Sequence, residues 1–412
     1  MRSEMKSMRV FWIFPVIFVN LLVASGVIHP DRFELLKGGI AYLYRGPDTL
    51  KKPWQIPKGM NLPPGIPAYL KIQQHDFKMI KELGFKSVRL PFDPMFLWDG
   101  NAEGTLKSDA LEFTLETVKT ALGEGLAVIV DMHGYQDQLA KNDPTIITAF
   151  ATFWGNLANA VAAASNAPNK VFFEVLNEPH THDHAAWRKM QGEFISSIRK
   201  AAPEYTILAT GADWSDPYGL IGANWSNPSK PIPYLTPYSD QNIAYIFHWY
   251  YPYIFTHQGV SYMGPDDSVL HGLLYPTSKK NVDALIQSYT ASGQLGTVKL
   301  LEQYKNENWN KSLIQQKLQP VSAWAKQHNV SVLCGEFGVV VGNPPTNIDS
   351  RAQWYNDSVS VFTKFGFGWN AWNFNEGFGG FFVQNAEGFY VPNFEMLQKA
   401  FRPYLPIPNQ IP

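Results

Sequence analysis

The chain has one cysteine, Cys334, so no internal disulfide can staple it. It has no excess of either charge: 34 Lys and Arg stand against 35 Asp and Glu, for a net charge of −1. Without a basic run there is no electrostatic footprint for nucleic acid. A glycine-rich phosphate loop is missing, as are internal repeats, low-complexity linkers and any appended binding module. Past the first 25 residues nothing reads as membrane-spanning. What is there is 412 residues, 45% hydrophobic, a length that α/β barrels reach as one domain. Aromatics make up 14%, with 13 Trp and 19 Tyr. Part of that fills a core, and the excess suits stacking on flat, weakly charged ligands.

The first 25 residues stand apart from the fold. Arg2, Lys6 and Arg9 precede an apolar run, Val10–Val19, extended by Leu21–Ala24, with Val23 and Ser25 as small residues for cleavage. That is the pattern of a secretory signal peptide, and it predicts a secreted protein, extracellular or periplasmic. An uncleaved anchor is the alternative, although Pro15 and Asn20 interrupt a run already short for a bilayer. Four sequons, at Asn224, Asn310, Asn329 and Asn356, matter only in a host that glycosylates.

From residue 26 to 412 strand-like and helix-like segments alternate in what reads as a single domain. The strand candidates are Gly38–Tyr44, Ser87–Phe92, Ala127–His133, Val171–Asn177, Thr206–Ala212, Ile243–Tyr250, Ser331–Glu336 and Gly366–Phe374. Several are continuous apolar runs, as expected of parallel strands buried on both faces. Helices are predicted at Asp76–Leu83 before Gly84, and from Asp143-Pro144 along Ile146, Phe150, Phe153, Leu157 and Val161. Others are predicted at Asn281–Ser288, at Val321–His328 after Pro320, and at Asp357–Lys364. Eight strand–helix units predict a (β/α)8 barrel, with a doubly wound open sheet as the alternative. Long connections, Tyr44–Gln74 and Tyr251–Asn329, follow the first and sixth strands and would shape a cleft on the catalytic face. The tail Pro403–Pro412 reads as an irregular strap.

Two of the strands end in a glutamate, Glu178 in VFFEVLNEP and Glu336 in SVLCGEFGV. An unpaired buried carboxylate costs several kcal/mol, so folding alone explains neither. Chemistry that needs two facing carboxyl groups explains both. Active-site residues of such a barrel lie at the C-terminal strand ends. Read in order, those ends carry Arg89, His133, Asn177-Glu178, His248 with Tyr250, Glu336 and Trp372. The set has neither metal-ligand spacing nor a Ser-His-Asp arrangement. Glu174 shares strand parity with Glu178 and reads as part of a structural network. Cys334 shares parity with Glu336 and reads as a small buried residue. His180, His182 and His184 sit in a polar loop without fixed metal geometry. Trp154 reads as core; Trp98, Trp214 and Trp249 each read either as packing or as a sugar platform.

Six motifs in order, SVRLP (Ser87–Pro91), DMHGY (Asp131–Tyr135), LNEPH (Leu176–His180), HWYYPYIFTHQG (His248–Gly259), GEFG (Gly335–Gly338) and GWNAWNF (Gly368–Phe374), carry a resemblance. Over residues 33–402 the chain resembles glycoside hydrolase family 5, the cellulase-type enzymes of the retaining (β/α)8 clan. The resemblance implies Glu178 as acid/base and Glu336 as nucleophile. It implies Asn177 on the sugar 2-hydroxyl, and Arg89 and Tyr250 holding the nucleophile carboxylate. His133 and His248 would line the subsite at the cleaved bond, with Trp372 as sugar platform. The first strand departs: Ile40-Ala41 stands where the family carries an Asn after Gly, which leaves one hydroxyl contact unassigned. Retaining chemistry supports the roles the resemblance implies, since it needs one carboxylate to attack while a protonated carboxyl serves the leaving oxygen.

The implied activity is a secreted retaining β-glycosidase acting on a polysaccharide or oligosaccharide, foremost an endo-β-1,4-glucanase. It implies no cofactor, no metal, no membrane contact after signal cleavage, and a monomer. β-Mannanase and exo-β-1,3-glucanase are rivals on the same scaffold. A non-catalytic carbohydrate-binding protein and a metal-dependent hydrolase using the 180–184 histidines are rivals of other classes.

Overall fold

The computed structural model describes residues 30–43, 68–222, 236–374, 377–386 and 389–409. The signal-peptide segment, most of the Tyr44–Gln74 connection and the Asn224 sequon lie outside them. Eight parallel strands close into a barrel in sequence order. They are β1 (Lys37–Ala41), β2 (Ser87–Phe92), β3 (Ala127–Met132), β4 (Val171–Glu174), β5 (Thr206–Thr210), β6 (Ile243–Trp249), β7 (Val332–Phe337) and β8 (Gly368–Ala371). Each expected strand is present, and the open-sheet alternative falls because β8 pairs with β1.

Alternation along the strands makes two cores. Ala127, Ile129, Phe172, Leu208, Ala244, Ile246 and Leu333 fill the barrel interior, and Phe33 and Leu36 pack into that same cluster. Phe33 comes from the short helix Pro30–Glu34 that leads into β1, so the start of the described chain plugs the barrel's N-terminal end. The neighbouring strand positions face outward into a larger core shared with the helices. Further along the strands the inward positions turn from apolar to charged, at Arg89, Asp131 and Glu174, all fully buried.

On β7 the alternation breaks. Ile246 pairs with Leu333 and Phe247 with Cys334, but His248 pairs with Glu336, one residue beyond the regular partner. Gly335 is the extra residue of a bulge. A Cβ there would come 2.7 Å from Ile246 Cγ2 and 3.2 Å from His248 Nε2, so only glycine fits without displacement. The equal parity expected of Cys334 and Glu336 is therefore wrong: Cys334 packs in the outer core while Glu336 reaches the site.

The helices differ from expectation mostly by being longer. Asp143 caps Pro144–Ser165 by accepting from the Thr145 amide at 2.8 Å. That helix is long and apolar enough to cross a bilayer, which the chain's hydropathy did not suggest, but its apolar face, including Phe150, Trp154 and Leu157, is buried. The helix expected at Asp76–Leu83 is Ala68–Glu82, and that at Asp357–Lys364 is Ile348–Phe365. Pro320 does not start a helix. It lies inside Lys311–His328, where Asn310 caps two amides and Ile314, Leu318 and Val321 are buried. The helix expected at Asn281–Ser288 is Lys279–Ala291, and the same long connection after β6 also holds Leu295–Glu307. A small hairpin, Phe382–Gln384 with Tyr390–Pro392, follows β8. The tail crosses the N-terminal end, with Leu405 against Gly38 and Pro406 against Gly84.

Candidate active site

Arg89 organises the barrel mouth. Its guanidinium is fully buried and forked onto Glu174, Nε to Oε2 and Nη2 to Oε1, both at 2.7 Å. Nη1 donates to Glu336 Oε1 at 2.6 Å, and Nη2 also reaches Asn177 Oδ1 at 2.9 Å and Asp131 Oδ2 at 3.0 Å. A planar group with five donors can hold three carboxylates in one plane; an ammonium cannot. Glu174 is thus the structural network member expected. Asp131 was not singled out, although it stands two residues beyond inward-facing Ile129 and the same parity argument finds it.

Glu336 is held from both sides. Tyr250 donates its hydroxyl to Oε2 at 2.8 Å while Arg89 holds Oε1. Burial pushes the Glu336 carboxyl up, but the charges of His248, Arg89 and His133 and the Tyr250 hydrogen bond outweigh it and bring it to about 2. Burial, then the charges of Glu336 and Glu178, push the Tyr250 phenol well above its ordinary value, so it stays a donor. Burial pushes Glu174 up as well, against the pull of Arg89.

Glu178 sits differently. It lies four residues past the end of β4, not on the strand, with a left-handed φ of 39°. Its Oε1 is 2.8 Å from His248 Nδ1, and the same nitrogen is 3.6 Å from Glu336 Oε2. One atom each of Glu178, His248 and Glu336 lie within 4.8 Å of one another. His248 Nε2 is buried without a partner, facing the Gly335 bulge, so Nδ1 is the nitrogen with proton work to do. Burial lowers the proton affinity of His248, and the charge of Glu336 with the hydrogen bond and charge of Glu178 more than restores it.

The remaining residues close the constellation. His133 Nδ1 meets Asp131 at 3.0 Å, and its Nε2 lies 3.3 Å from Asn177 Nδ2. Gln136 ties the Asn177 carbonyl at 3.0 Å, a positioning contact that the sequence did not signal. Trp372 stacks on His133, 13° from parallel at 5.7 Å. All eight residues singled out at strand ends therefore meet at one mouth. Among the described residues, Glu178, His248 and Glu336 are also the group with metal-like spacing, but Arg89 already occupies Glu336. His180, His182 and His184 do not converge: the first pairs with Asp137, and the other two meet opposite oxygens of Asp213. Trp98, Trp154 and Trp249 are buried, while Trp214 is exposed. A cavity of about 580 Å³ opens at the other end of the barrel, beside Lys37, Ile243, Val332 and Phe367, and holds none of these groups.

The family model for cellulase, glycosyl hydrolase family 5, matches residues 52–377. The chain belongs to glycoside hydrolase family 5. It is an O-glycosyl hydrolase of the cellulase type. Among family 5 relatives, it is 27% identical over 316 residues to Endoglucanase C of Acetivibrio thermocellus, covering 74% of this chain and 84% of that one. It is 26% identical over 332 residues to Endoglucanase 3 of Fibrobacter succinogenes, covering 75% of this chain and 47% of that one. An endoglucanase structure from Thermotoga maritima superposes with a TM-score of 0.64 at 21% identity, over 90% of this chain and 99% of that one.

Proposed function

We propose that the protein is a secreted, retaining endo-β-1,4-glucanase. The observation that carries the mechanism is the spacing of Glu178 and Glu336, whose carboxyl oxygens approach within 4.8 Å. Double displacement uses carboxyls about 5–5.5 Å apart, and single displacement needs about 6.5–9.5 Å to admit water. Glu336, ionised and aimed by Arg89 and Tyr250, attacks the anomeric carbon as the glycosidic C–O bond breaks. Glu178 gives its proton to the departing oxygen. In the second half, Glu178 takes a proton from water, which attacks the anomeric carbon and releases Glu336. Asn177, fixed by Arg89 and Gln136, is placed for the 2-hydroxyl, where hydrogen bonds strengthen in the transition state. Secretion rests on the charged and apolar N-terminal pattern.

NMR of the first products tests the mechanism: the β-anomer appears first, and an initial α-anomer removes Glu336 as nucleophile. A reducing-sugar panel tests the substrate. The highest catalytic efficiency is expected on carboxymethyl cellulose or mixed-linkage β-glucan, and higher efficiency on mannan overturns that specificity.

A further inference from the structure

Glu178 is carried by a loop whose shape is fixed from outside it. The segment after β5 supplies the fixing contacts. There Asp213, Trp214 and Ser215 take consecutive left-handed conformations, with φ of 54°, 56° and 57°. Residues with side chains disfavour that region, and each costs about 1–3 kcal/mol that the surrounding structure must offset. The turn aims two backbone amides at the loop after β4. The Asp213 amide donates to the Thr181 carbonyl at 2.9 Å, and the Trp214 amide to the Pro179 carbonyl at 3.1 Å. Pro179 follows Glu178 directly, and Glu178 itself stands at a left-handed φ of 39°. Two strained stretches thus brace one another, and one of them carries Glu178.

The side chain of Asp213 anchors the turn. His182 Nδ1 lies 2.5 Å from its Oδ1, and His184 Nε2 lies 3.1 Å from its Oδ2. Both histidines stand where the loop runs into the helix His184–Ala201. The other ring nitrogen of His184, Nδ1, faces the Gly219 carbonyl at 3.2 Å. A carboxylate and a carbonyl only accept, and a neutral imidazole has one N–H to give. His184 therefore satisfies both partners only as an imidazolium. The residue is buried, so an unmet acceptor beside it would be costly.

Among the described residues, the titratable groups facing His184 are Asp213 and Asp183, with His182 across Asp213. A cation in the first turn of a helix opposes the helix dipole, so these two carboxylates must balance its charge. The Asp213 hydrogen bond raises the ring above its ordinary value of 6.5, and burial takes back only part. Burial alone would raise Asp213, but the bonds from His184 and His182 outweigh it and lower the carboxyl. We propose that Asp213, gripped by a doubly protonated His184, is a positioning residue that aims Glu178 at the leaving oxygen through the Pro179–Thr181 backbone. This rests on the reading of Glu178 as the acid. The latch is closed at low pH. As pH rises through the raised value of the ring, one proton leaves, Gly219 or Asp213 loses its donor, and the turn is released. A leaving group that needs no proton should feel little of this.

Two substrates separate aiming of the acid from general support of the fold. Cleavage of cellohexaose needs a proton on the departing sugar oxygen, whereas a dinitrophenyl cellobioside releases a stable phenolate unaided. At pH 6.5, the ordinary histidine value, His184→Gln and Asp213→Asn are each compared with wild type. The loss in kcat/KM on cellohexaose is expected to exceed that on the aryl glycoside by about tenfold or more. Equal losses on both substrates overturn the latch. Glu178→Ala reads the acid itself. Equal losses in Glu178→Ala overturn the acid reading, whereas a selective loss there beside equal losses in the other two variants removes the latch alone. Nitrogen-15 NMR of the unmutated enzyme depends on no variant folding. At pH 6.5 His184 is expected to carry protons on both ring nitrogens, and a neutral single tautomer overturns the proposal.

Discussion

Both oxygens of Glu336 are held by groups that keep their protons, Arg89 and Tyr250, while Glu178, among the described residues, is bonded only to His248. One glutamate is fixed as an anion, and the other is left to exchange a proton. Glu336→Gln and Glu178→Gln are each expected to lower polysaccharide turnover about a thousandfold or more with the fold intact by circular dichroism. Glu178→Ala should still react with an aryl glycoside and recover turnover with azide, which needs no deprotonation by an enzyme base. The pH dependence follows from Glu336. Its ordinary value is 4.5, and in the folded protein it lies at about 2. The stability it contributes is therefore present above about 4.5 and lost as pH falls toward 2. The acidic limb of kcat/KM should lie below the ordinary carboxylate range. Tyr250→Phe, which removes one donor, should move that limb upward. A limb unmoved by Tyr250→Phe would count against the contact.

At the scale of elements, the β7 bulge decides where Glu336 stands. Gly335→Ala should cost about 1–3 kcal/mol of stability through overpacking against Ile246, and should lower kcat more than it raises KM, because Glu336 shifts. Chemical denaturation and steady-state kinetics read the two effects apart. The bulge was not legible in the chain, because alternation predicts every second residue to share a face and one extra residue breaks the count. Pro320 misled for a related reason. Proline ends an isolated helix at a cost of about 3 kcal/mol, yet packing of Ile314, Leu318 and Val321 carries Lys311–His328 through it. By contrast, several of the buried parallel strands announce themselves as continuous apolar runs, and their regular alternation with helical segments makes all eight legible. Asp131 shows what lay between: its motif was visible, but its contact with Arg89 depends on which way β3 turns its side chains.

Across the whole molecule, the barrel mouth gathers residues from six strands, and motif order with strand-end placement made that gathering readable. Which tryptophans are exposed was not readable, because exposure is a property of the folded surface. Trp98 and Trp249 look no different from Trp214 in the chain, yet only Trp214 is exposed. Activity should be unchanged by EDTA, since Arg89 takes the place beside Glu336 that a cation would need. Loss on chelation, restored by a divalent ion, would redirect attention to the 180–184 histidines.

The plug at the barrel's N-terminal end has a consequence for orientation. Phe33 and Leu36 bring the start of the described chain into the N-terminal end, and Leu405 and Pro406 bring its close to the same end. Both ends of the described chain thus sit at the pole opposite its chemistry. A support grafted near Asp31 or Asn409 would face that pole and leave the cleft turned outward. Enzyme tethered through its C-terminus to a bead should keep its rate on soluble glucan, and tethering through a cysteine placed at Tyr262 should abolish it.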